Sequence, residues 1–133
     1  MQLMYVTPQE ILDFWFSKEV KRHWFEHSEF LDTKVRVMYE RIFRDAVNCE
    51  LSDWRDTIQG RLAEIIILDQ FSRLIFRGRP HAYTQDRMAL LLAQEAVRHQ
   101  SFLSYWLRLL IFVHFQGCIF LLQASVRLRF LLA

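Results

Sequence analysis

The chain has 133 residues, of which 53% are hydrophobic and 15% aromatic, and a formal charge of +2. That is enough apolar material for one core and excludes a disordered class, while the length leaves no room for two ordinary domains. Lys and Arg are scattered, and no basic run alternates with aromatics, which excludes a nucleic-acid binder.

Three Gly and two Pro are too little punctuation for many short strands, so long helices are expected. The first opens in "VTPQEILDFWF", where Thr7 is the N-cap, Pro8 takes the first helical position and Glu10 closes a capping box. Val6 with Ile11 fits the hydrophobic staple, and Ile11, Leu12 and Trp15 share a face. Next comes "HWFEH", His23 to His27, which spells the H-x-x-E-H pattern of inverted zinc peptidases. On a helix, His23 and His27 would share a face and hold Zn²⁺, with Glu26 as general base. A third ligand is not evident, and Trp24 and Phe25 look like core anchors. The motif is therefore read as structural, with a metal-dependent hydrolase kept as the alternative; no catalytic residue, metal or cofactor is assigned.

The second helix is expected from about Ser28 to Val47, with Leu31, Val35, Met38, Ile42 and Ala46 recurring as one buried stripe. "NCELSDWRDT" reads as a connector. Thr57 then caps a third helix with Leu62, Ile65, Ile66, Leu68 and Phe71 in the core. It stops at "FRGRP", where Gly78 suits a left-handed C-cap and Pro80 cannot continue. Thr84 is expected to cap a fourth helix, whose Asp86 in the first turn and Arg98 and His99 in the last agree with the helix dipole. From Leu109 to Val126 there is no charged residue, and Arg108 and Arg127 flank the run. His114, Gln116, Gly117 and Gln123 interrupt it, favouring a buried C-terminal helix over a membrane span. The sum is one all-α domain of about five helices over residues 1–133. Cys49 and Cys118 lie far apart with no signal peptide at the start, so free thiols in the cytoplasm are expected.

The candidate site lies in "EIIILDQFSRLIFRGRP". Asp69 follows Ile65, Ile66, Ile67 and Leu68, and Arg73 and Arg77 come four and eight residues later, one column on a regular helix. A carboxylate sheltered there needs a partner, and Arg73 is the nearest. Either the pair fixes how the helix docks, or the column lines a groove together with Trp15 and Gln70. In the second case the Arg forks would hold the carboxylate or phosphate of a small molecule or peptide.

"TPQEILDFWF", the following "WF" and "GRLAEIIILDQFSRLIFRGRPHAYTQDRMALLLAQEA" together resemble the bacterial domain-of-unknown-function 924 family over roughly residues 7–98. The L-D-Q-F-x-R-x-x-F-R-G block is that family's strongest signature. The resemblance implies an antiparallel helical array of tetratricopeptide-like pairs and carries no agreed activity. The family usually reads Pro-Arg-Asn where this chain has Ser72, Arg73 and Leu74, and often a Pro where Ile58 stands. Its later Pro-Phe-x-His-Ser-Glu block is answered only at Phe115 and Gln116, with Gly117, Cys118 and Ile119 in place of His-Ser-Glu. The C-terminal end thus reads as altered or truncated against that pattern. An incomplete array leaves an apolar face, for which a homo-oligomer is the expected cover.

Overall fold

A computed structural model describes residues 5–24 and 26–98 of the chain. The predicted apolar run 109–126, Cys118, His99 and any oligomer face in the C-terminal third lie outside those residues. Among the described residues the fold is all-α, with no strand.

Helix α1, Pro8–Trp15, starts as the sequence predicts: Thr7 is extended and its Oγ1 accepts from the Glu10 N–H at 3.2 Å. A single turn follows, α2, Lys18–Lys21, capped by Ser17. The long helix α3, Glu29–Val47, is capped by Ser28, which accepts from the Leu31 N–H. Four of the five expected stripe residues are buried, joined by Asp32 and Phe43. Met38 is exposed, and Tyr39 is buried in its place, packing edge-on to Phe14 and stacking on Phe71 at 5.2 Å. A flat ring with a polar tip suits that wall, because the Tyr39 hydroxyl reaches Glu10 while its ring stays in the core.

The connector contains a 3-10 turn, Ser52–Asp56, and Thr57 then caps α4, Ile58–Ile66, through the Gly60 N–H. The helix does not end at Ile66. It passes through a π turn, Ile67–Phe71, and continues as α5, Ser72–Ile75. Gly78 takes φ 77°, the left-handed stop the sequence predicts. Beyond it lie a second 3-10 turn, Pro80–Tyr83, and α6, Asp86–Arg98. Thr84 does not cap α6; its backbone is right-handed helical and closes the 3-10 turn.

The α4–π–α5 rod forms the middle of the packing. α4 lies against α1 and α6, while α5 and the π turn lie against α3. Leu62, Ala63, Ile65, Ile66, Ile67, Leu68 and Phe71 are all buried, so the rod meets neighbours on nearly every side. No helix among the described residues is long and apolar enough to cross a membrane.

Gly60 is where the rod touches the 3-10 turn before it. A Cβ built there would sit 1.8 Å from the Trp54 carbonyl oxygen, a clash with backbone that no rotamer can relieve. Gly60→Ala is therefore expected to cost about 3 kcal/mol, read as a lower urea midpoint with an unchanged slope.

Candidate functional site

Asp69 lies in the π turn with 1% of its surface exposed. A π turn carries one extra residue per hydrogen-bonded ring, so it rotates the residues after it away from α-helical register. Column spacing predicted on an α-helix is lost here. Ser72 answers the disturbed ladder: its hydroxyl lies 2.7 Å from the Leu68 carbonyl and 2.9 Å from that of Asp69, which both accept from it.

The predicted Asp69–Arg73 ion pair does not form. Arg73 Nη2 donates to Asp86 Oδ2 at 3.0 Å, Nη1 stands 2.8 Å from Asp86 Oδ1, and Nη1 also donates to the Ala82 carbonyl. The Tyr83 ring lies over the guanidinium at 4.2 Å. Two acceptors, the Ala82 carbonyl and Asp86 Oδ2, together with the full charge of Asp86, thus outcompete one carboxylate on the rod itself. Arg77 also turns away, forming a bidentate pair with Asp32 of α3 at 2.5 and 2.9 Å. His27 joins that acid, with Nε2 at 3.3 Å from Asp32 Oδ2.

What remains for Asp69 is Gln70, whose Nε2 donates to Oδ2 at 2.5 Å. Asp69 Oδ1, buried, has no hydrogen-bond partner among the described residues, and neither does Arg73 Nε. Burial holds the Asp69 carboxyl above its ordinary 3.8, at about 6. The Gln70 hydrogen bond and the charge of Arg73 pull it down, and the charge of Asp86 pushes it up.

Trp15, expected to line a groove beside this column, is only 4% exposed and belongs to an aromatic core. It stacks on Trp24 at 5.8 Å, its carbonyl accepts from Trp24 Nε1, and Phe71 lies 6.0 Å away. Phe71 follows Gln70 directly, so the aromatic core anchors the π turn from inside. The structure brings Asp69, Gln70 and Arg73 together, sends Arg77 to α3 and puts Trp15 into the core.

The zinc-peptidase pattern lacks its helix. α2 stops at Lys21, His23 and Trp24 sit in a turn, and His27 has no helical backbone, so the two imidazoles do not share a helical face. Among the described residues no cluster of three or more His, Cys, Asp or Glu could hold a metal ion.

Two buried acids escaped the sequence reading. Asp32 is one, hidden beside the apolar stripe of α3. Glu64 is the other: it is 1% exposed and accepts from Arg55 Nε and Nη2 at 2.9 and 2.7 Å. Glu64 and Arg55 form part of the wall of a cleft of about 270 Å³ completed by Arg61, Leu91, Leu92 and Glu95. The signal for Glu64 was available, since it opens the same apolar run that drew attention to Asp69.

Burial of these acids sets two expected outcomes. Between pH 3.8 and 6 the folded chain binds more protons than the unfolded one at Asp69, so its contribution falls as pH rises. Above pH 6 both states are ionised and the full penalty, about 3 kcal/mol, remains. Asp69→Asn is thus expected to stabilise the protein by about 2 kcal/mol at pH 7.5 and to be near neutral at pH 4, by urea unfolding at each pH. Arg55→Ala, which strands Glu64, is expected to cost about 3 kcal/mol, whereas Arg55→Met with Glu64→Leu recovers most of that loss in the same assay.

The family model described as bacterial protein of unknown function, DUF924, matches residues 11–116. A comparison with curated proteins returns no match. Among solved structures, the chain is similar to a protein of unknown function, ATU0120, from Agrobacterium tumefaciens, at 33% identity with a TM-score of 0.65. That similarity covers 69% of this chain and 52% of the other, so this chain spans about half the length of that protein. A match over most of the sequence, a range that includes the rod with Asp69, Gln70 and Arg73, places this chain in the bacterial DUF924 family.

Proposed function

We propose that the protein is a small helical binding module whose site is the polar cluster of Asp69, Gln70 and Arg73, closed on the α6 side by Asp86 and Tyr83. It takes a small molecule or the end of a peptide. The observation that carries this reading is the buried Asp69 Oδ1, which accepts nothing among the described residues. A buried polar atom left unmet costs about 1–3 kcal/mol, and a bound group that donates to it recovers that cost.

Two features support the same conclusion. Asp69 stands in a π turn, a helical distortion often found at functional sites, here fixed by the Ser72 hydroxyl and the aromatic core. Burial also works against its ionised form at neutral pH, the kind of perturbed carboxyl that functional sites carry more often than other places do. Trp15 and Arg77 belong to the reading as support: Trp15 steadies Phe71 from the core side, and Arg77 ties the end of the rod to α3. Tetratricopeptide-like stacking and a cytoplasmic location, expected from the sequence, are part of this proposal and are compatible with an all-α chain.

A screen of small polar metabolites and short peptides by thermal shift tests the site. Hits are expected to raise the wild-type midpoint in a saturable way and to bind Asp69→Asn at least tenfold more weakly. Hits that bind both proteins equally would place the site elsewhere.

A further inference from the structure

We infer that the group received at Asp69 is a protonated amine rather than an anion. This rests on the binding reading above and narrows its ligand. The cluster holds two carboxylates, Asp69 and Asp86, and one guanidinium, Arg73. Arg73 is only 6% exposed and its fork is taken: Asp86 answers its charge, the Ala82 carbonyl accepts from Nη1 and the Tyr83 ring covers its face, which leaves only the buried Nε–H without an acceptor. An incoming carboxylate or phosphate would have to evict Asp86 from that fork or reach the single buried Nε–H, and either way bring a third negative charge to a cluster that already holds Asp69 and Asp86. Arg77 offers no better berth, being held by both oxygens of Asp32.

The unanswered charge is therefore negative. Asp69 keeps one hydrogen bond, from the neutral Gln70 amide to Oδ2, while Oδ1 is buried without a partner. An ammonium group fits both deficits at once, because it donates to Oδ1 and neutralises the excess carboxylate. Around the buried carboxyl, Gln70 is half-buried, Asp86 partly exposed and Tyr83 exposed, and these are the side chains that would move aside to admit an amine. Tyr83 adds an aromatic surface there, suited to the alkyl stem of an amine. A free small amine and the amino terminus of a peptide share this chemistry.

The assignment is tested by thermal shift and calorimetry on the full chain at pH 7.5 and constant ionic strength. The probes are ethanolamine, butylamine, a tripeptide with a free amino terminus and its acetylated counterpart, with acetate and inorganic phosphate as the anion arm. Amine probes are expected to raise the midpoint saturably. The rise should disappear in Asp69→Asn, and at pH 5, where the carboxyl is protonated, it should shrink at least fivefold. The acetylated peptide and both anions should give no shift. A free tripeptide that outperforms butylamine by tenfold or more identifies a peptide end as the source, and the reverse order identifies a small amine; both support the assignment. Stabilisation by acetate or phosphate alone, lost in Asp69→Asn, overturns the amine assignment and leaves the binding module standing. Silence from every probe, with no Asp69-dependent hit in the metabolite screen, overturns both.

Discussion

A helical rod buried on nearly all sides must answer every polar group it carries, and the rest of this structure depends on that demand. Between Glu64 and Arg73 the rod hides two acids, a hydroxyl and a guanidinium among Ile, Leu and Phe side chains. None of them can rely on water. Each answer comes from a different neighbour: Arg55 from the preceding 3-10 turn for Glu64, the backbone of the π turn for Ser72, and Asp86 with the Ala82 carbonyl for Arg73. The pairs made by Glu64 and Arg73 also hold the elements in place, since each ties the rod to a segment packed against it. Asp69 is the acid left half answered, and Arg73 keeps one unmet donor at Nε.

The position of that deficit makes chemical sense of the cluster. Phe71, two residues beyond Asp69, is clamped between Tyr39, Phe14 and Trp15, so the π turn is fixed from the core side. On its other side, the second 3-10 turn and the start of α6 bring Ala82, Tyr83 and Asp86 onto Arg73. The result is an acceptor held by packing on both sides, beside a cation whose charge is answered by Asp86. For the binding role proposed above, such preorganisation would lower the cost of capture, because the acceptor itself need not be recruited. The same burial that unsettles the carboxylate gives an incoming positive charge a stronger attraction than it would find in bulk water.

The proposed preference for an amine over the anion expected from a row of arginines rests on charge placement. Asp32 and Asp86 sit on α3 and α6, outside the rod, and each neutralises one Arg. Taken alone, the segment Glu64–Pro80 carries a positive balance after Asp69. Within the fold, the arginines are clamps, and the uncompensated charge is the acid.

Local rules set much of this in advance. Side-chain caps at Thr7, Ser28 and Thr57, the left-handed stop at Gly78 and the apolar stripes of α1, α3 and α4 depend on neighbours a few residues away, and the sequence by itself determined them. It also determined that Asp69 is buried, since four aliphatic residues precede it in a helix that must lie in the core. What only the tertiary structure decided is the company that acid keeps. The π turn broke the column of spacings, and Asp86, Ala82 and Asp32 drew both arginines away, because hydrogen bonding is settled by distance in space between segments that no periodicity relates. For the same reason Tyr39 displaced Met38 from the wall, and the histidine pair lost the helix that would have joined it. Packing contacts and turns between elements, absent from any window of sequence, chose those outcomes.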